Sequence, residues 1–271
     1  MKKLSILLAI GIAVSIQVHA QSHGHLNIGA VGTNQNDQLD FDNGAIFATN
    51  TGYIMTLTYT NGSTYAGYYQ GNITLTSLAA TPAFGGPVPG ASALGSMIYA
   101  QIVFVEGPSG GSFGFWDVGA TNPTISLLSG TTGTNCYKVS QNDGSPGSDP
   151  YGHIHGRRFT ATKPGIYLVG FRALDFSTNG INGGPIQSPS DVLKFYFQAG
   201  VTIASVNKAD SVCSVTFGAP AGKNCILEYT TSLAGTNWLQ AGNPILGADA
   251  LQTIADTNAT NSQTFYRIKM Q

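Results

Sequence analysis

Short runs rich in Val, Ile, Tyr, Phe and Thr recur along this chain between clusters of Gly, Pro, Asn and Asp, and no stretch carries a helical apolar period. A β-branched or aromatic run bounded by turn formers is what a pleated, half-buried strand requires, so the rhythm restricts the chain to an all-β fold. Strands are expected at Tyr53 to Tyr59, Asn72 to Leu78, Met97 to Val105, Gly114 to Val118, Gly165 to Asp175 and Val192 to Ala199. The first alternates apolar and polar residues, as a sheet with one buried face demands. The segment Ile166 to Phe171 is apolar throughout and suits a central strand. Repeated short strands of this kind imply a β-sandwich, Ig-like or jelly-roll-like.

The 35 glycines and the abundance of Ser, Thr and Asn would suit a disordered chain, but 42% hydrophobic content supplies a core. Thr81 to Gly95 and Gly130 to Gly152 read as long loops. A change of composition after Gly200 places a domain boundary there, giving a sandwich over residues 21–199 and a small β-rich module over 200–271. Ahead of both, Lys2 and Lys3, an apolar run and Val18-His19-Ala20 read as a cleaved export signal over residues 1–20. The mature protein is therefore expected in the periplasm, at the cell surface or outside the cell, with no membrane span. Only 9% of residues are charged, and the scattered cations offer no polyanion-binding face, so nucleic acid is not expected as a partner.

Apart from His19 in the leader, every histidine belongs to a His-x-His pair: His23 with His25, and His153 with His155. Residues two apart on an extended strand share a face, so each pair can offer two imidazoles to one ion. Neutral imidazole suits zinc or copper far better than calcium or magnesium. The alternative is four unrelated histidines at the surface or half-buried, and it weighs most on His23, next to a fraying terminus.

Other signals carry less. Asp37, Asp40 and Asp42 imitate part of a calcium loop without its distal Glu, and a turn before a strand is the preferred reading, with an added oxygen ligand as the alternative. Gly107-Pro108-Ser109-Gly110-Gly111 matches a nucleophile pattern but precedes a strand, so a hairpin turn is expected. The only glutamates are Glu106 and Glu228, and no general base is placed, so binding is preferred to catalysis. In an exported chain the three cysteines allow one bridge; Cys213 with Cys225, on adjacent expected strands, is the preferred pair, with both thiols free as the alternative, and Cys136 is the odd one in a loop.

Gly24-His25-Leu26-Asn27-Ile28-Gly29, Val103 to Trp116, His153-Ile154-His155 with Phe159-Thr160, and Lys163-Pro164-Gly165-Ile166-Tyr167 together resemble the bacterial surface-anchored protein domain of the choice-of-anchor type. The resemblance covers Gln21 to Ala199. It implies an exported β-rich protein associated with metal uptake, with His25, His153 and His155 as ligands. Asn27 stands where that family commonly has Asp, and Gly156-Arg157 where it has Asn-Trp. The tail, with Leu227 to Leu233, Asn237-Trp238 and Phe265-Tyr266-Arg267, resembles a small C-terminal β module of secreted bacterial proteins, which implies display or attachment. The expected function is thus acquisition, storage or delivery of zinc or copper, with a metal transporter or envelope component as partner. The competing expectation is an adhesive or glycan-binding module acting through Tyr65, Tyr68 and Tyr69.

Overall fold

The computed structural model describes residues 24–154, 157–201, 203–219, 222–234, 237–248 and 250–271; the expected leader, His23 and His155 lie outside them. The chain is all-β, and its only helical pieces among the described residues are single turns such as Gly44–Phe47 and Pro82–Phe84.

Four sheets organise the strands. The largest runs, in spatial order, through Cys136–Lys138, Ile98–Glu106, Gly165–Asp175, Leu193–Ala199, Ile54–Tyr59, Tyr69–Gly71, Arg158–Ala161, Ser112–Trp116 and Ile125–Leu128, with Thr131–Thr132 on the flank of Ile98–Glu106. It curls over on itself, so aromatic residues from its two halves meet. Phe113 and Phe159, on one half, lie with ring centroids 4.6 Å and 5.7 Å from Phe197 on the other, and Phe159 is also 5.7 Å from Phe171. Such rings are fully removed from water and pack at the offset and tilted angles aromatic quadrupoles favour. The sandwich core is thus aromatic because strands of alternating Phe present every second residue inward.

Against this core lies a four-stranded sheet ordered Gly152–His153, Thr74–Ser77, His25–Ala30, Leu39–Asp40. Leu26, Ile28 and Leu75 are its inward residues and join the same hydrophobic cluster as the phenylalanines. The alternate residues, His25, Asn27, Thr74 and Thr76, therefore take the other face.

A separate hydrophobic cluster, including Val215, Phe217, Cys225, Leu227 and Ile254, lies between two three-stranded sheets near the C-terminus. One sheet is Ile203–Ala209, Val212–Ala219 and Ala250–Asp256; the other is Leu239–Leu246, Asn224–Thr230 and Phe265–Met270. A buried glutamine ties this unit to the sandwich. The Gln198 amide donates to the Gly218 carbonyl at 3.0 Å and its oxygen accepts from the Gly218 N–H at 3.2 Å. A Cβ at position 218 would come within 2.5 Å of the Gln198 oxygen, so this contact requires glycine.

Several expectations change. Cys213 and Cys225 are free thiols on strands of opposite sheets, because the chain crosses from one sheet to the other between the two strands expected to be adjacent. Cys213 is registered with Lys208 and Asp256, whereas Cys225 is registered with Ile245 and Met270. Cys136 sits on the short strand Cys136–Lys138 inside the expected loop, where its thiol donates to the Thr134 carbonyl at 3.3 Å. The Gly107 to Gly111 segment is a turn, with the Gly111 N–H on the Pro108 carbonyl at 2.9 Å, but not a hairpin. The strands it joins go to opposite halves of the curled sheet and do not pair.

Two outcomes follow from this packing. Thiol titration in denaturant without reductant should find all three cysteines reactive. Phe159→Ala, which empties the centre of the aromatic cluster, should lower unfolding free energy by about 3–5 kcal/mol in urea titrations.

Candidate metal centre

The two histidine segments meet because both pair with one strand. Thr74–Ser77 is flanked on one side by His25–Ala30, parallel, with His25 opposite Thr74 and Asn27 opposite Thr76. On its other side it takes Gly152–His153, antiparallel, with His153 opposite Thr76. Registered residues share a face, so His25, Thr74, Thr76 and His153 all project from the side away from the hydrophobic core. The His25 and His153 rings lie 6.1 Å apart between centroids and nearly perpendicular, at 84°. Two imidazoles on one tetrahedral zinc, with Zn–N of about 2.0–2.1 Å, would have centroids roughly 5 Å apart. Closing by about an ångström would bring both onto one ion.

Hydroxyl groups hold both rings. Nδ1 of His25 is 3.1 Å from the Thr76 hydroxyl, and Nε2 of His153 is 3.4 Å from the Tyr151 hydroxyl. The Tyr151 ring also packs edge-on against His153, at 4.7 Å, and is itself stacked on Phe84 at 5.4 Å. These contacts engage opposite nitrogens of the two imidazoles.

The backbone around each histidine is pinned separately. Asn43 acts as a surrogate strand partner for His25: its amide donates to the His25 carbonyl at 2.7 Å, and its oxygen accepts from the Asn27 N–H at 2.9 Å. On the other segment, the Asp149 carboxylate accepts the Tyr151 N–H at 2.7 Å and turns the chain into the strand. Gly152 then passes so close to residues 139–140 that a Cβ would lie 2.1 Å from the Val139 carbonyl oxygen. The Ile154 N–H completes the approach by donating to Leu75 at 2.8 Å.

Of the four expected ligands, His25 and His153 are brought together, and His23 and His155 lie outside the described residues. Among the described residues no group of three or more His, Cys, Asp or Glu side chains comes together. Asp40 is registered with Gly29 in the short strand Leu39–Asp40, so the Asp40 to Gly44 segment follows a strand and leads into the Gly44–Phe47 turn. Burial, with Asp42 adding repulsion, raises the Asp40 pKa above the ordinary carboxylate range. Asp37 serves a turn, accepting the Asn34 N–H at 2.7 Å. Tyr65 and Tyr68 lie edge-on against buried Trp116, at 5.0 Å and 5.3 Å, and Tyr69 packs on Tyr59 at 5.0 Å. These tyrosines pack against one another and against the core more than they form a flat platform.

Thr76, Tyr151 and Asn43 escaped the sequence reading. The available signal was the alternation Thr74-Leu75-Thr76, which puts two hydroxyls on the face opposite Leu75. Among the described residues no helix is long and apolar enough to cross a membrane. No protein-family model matches the chain, and no curated protein matches it.

Asn43→Ala removes two hydrogen bonds from the His25 segment. It should cost about 1–3 kcal/mol in thermal or urea unfolding. The same substitution should speed hydrogen exchange at the Asn27 amide more than at amides of the aromatic core.

Proposed function

We propose that this is an exported protein that binds zinc or copper between His25 and His153 and serves acquisition, storage or delivery of the metal. One observation carries the reading: two histidines from distant parts of the chain are registered on either side of one strand, with rings 6.1 Å apart and each oriented by a hydroxyl. A lone surface histidine has no need of a ring-orienting partner, whereas metal-binding imidazoles characteristically have one. Imidazole donors of this kind select zinc or copper over the hard cations. His23 and His155, each two residues from a member of the pair, are the imidazoles that sequence spacing offers to complete the coordination sphere.

The leader-like residues 1–20 support export, and the likeness to choice-of-anchor domains associated with metal uptake supports the same assignment. Within it, the C-terminal unit would serve attachment or display, with a metal transporter or envelope component as the partner. The Thr76 and Tyr151 hydroxyls orient the rings, which is the part a binding site needs from its neighbours.

Dialysed protein should take up about one Zn2+ or Cu2+ per chain in calorimetry or elemental analysis. The double variant His25→Ala, His153→Ala should lose that uptake, with a drop in affinity exceeding the roughly 10–100-fold that outer-shell changes cost. Unchanged stoichiometry and affinity in the double variant would remove the assignment.

A further inference from the structure

The Thr74 side chain is fully buried, yet among the described residues its hydroxyl oxygen has no hydrogen-bond partner. Leaving a hydroxyl unsatisfied away from water is unfavourable, and interiors rarely retain one without a reason. The position of this one is informative. Thr74 is the residue registered with His25, and it shares its strand face with Thr76, whose hydroxyl contacts the His25 ring and which is itself registered with His153. The orphan oxygen therefore belongs to the same side of the sheet as both imidazoles. The carboxamide oxygen of Asn72, two residues earlier, is also buried without a partner. The two neighbouring threonines thus differ in a simple way: Thr76 is engaged by a ring, and Thr74 is held next to it with its polar group unused.

Resting on the metal reading above, we propose that the Thr74 hydroxyl is the site's contact to a water molecule bound on the ion, which it holds by a hydrogen bond. Imidazoles occupy some positions of a zinc or copper ion, and water commonly takes an open one. A hydroxyl can accept a hydrogen bond from that water or donate one to it, so it serves either protonation state. Thr74 is then a positioning residue for the ion's oxygen ligand, and that bond gives its buried hydroxyl a partner.

This assignment makes stability and affinity move in opposite directions. Thr74→Val keeps the shape and removes the hydroxyl. The metal-free variant should unfold at the same temperature as the wild-type protein or a higher one, because an unsatisfied polar group has gone. Its affinity for Zn2+ in calorimetry should fall about 10–100-fold, the cost of an outer-shell loss. With Co2+ as a spectroscopic stand-in, its visible absorption bands should shift in Thr74→Val and return in Thr74→Ser, which keeps the hydroxyl and loses the methyl.

A Thr74→Val protein with wild-type Zn2+ affinity and an unchanged Co2+ spectrum overturns the proposal while leaving the histidine site standing. So does a Thr74→Ser protein that loses as much affinity as the valine variant, since packing of the methyl would then be what matters. Should valine not be accepted in the fold, Thr74→Ala is read against Thr74→Ser by the same two measurements. A wild-type protein that binds neither Zn2+ nor Co2+ overturns the metal reading itself, and this proposal with it.

Discussion

The pairing of two segments with Thr74–Ser77 is the constraint from which the rest of the site derives. A central strand with one parallel and one antiparallel neighbour fixes two registers at once. A slip of one residue on either side would reverse which side chains face the core. On the His25 side, that slip would turn Leu26 and Ile28 outward and bury His25 and Asn27 among the phenylalanines. The loss of apolar burial, at about 1.5–3 kcal/mol for each large side chain, far exceeds what one imidazole contact contributes. Hydrophobic packing of the inner face thereby dictates the geometry of the polar outer face.

The aromatic core lends the same precision from beneath. Because the largest sheet curls until its own halves meet, phenylalanines from four different strands touch within one cluster. Close-packed interiors resist small displacements, so the Leu75 and Leu26 side chains that rest on this cluster have little freedom to shift. Asn43 and Gly152 then solve local problems the core cannot. The first supplies side-chain hydrogen bonds to the His25 carbonyl and the Asn27 N–H at the end of a strand, and the second admits a backbone contact that any side chain would block.

Local chemistry made much of the fold legible in the sequence, and non-local pairing hid the rest. Gly165–Asp175 was readable to the residue because its aliphatic run is long and closed at the start by Pro164-Gly165. Ile125–Leu128 and Arg158–Ala161 were not singled out as strands: both are four residues long, too short for alternation to rise above chance. The two histidine pairs stood out by composition, but only sheet order could place His25 beside His153. Thr76 was invisible as a site residue for the same reason, since its role depends on neighbours drawn from both ends of the sandwich. Cys213 and Cys225 show the converse error: adjacency along the chain suggested adjacency in a sheet, and the crossover between sheets removed it.

The chemistry of the groups around the rings bears on how firmly an ion would be held. A carboxylate partner on the remote nitrogen of a metal-bound histidine raises its basicity and adds negative charge near the cation. The Thr76 and Tyr151 hydroxyls, which are among the groups on the imidazoles, orient the rings and add no charge. Orientation by neutral hydroxyls would leave the charge of any bound cation to be balanced by its other ligands, so this part of the outer face sets the direction of the rings and leaves the strength of binding to the rest.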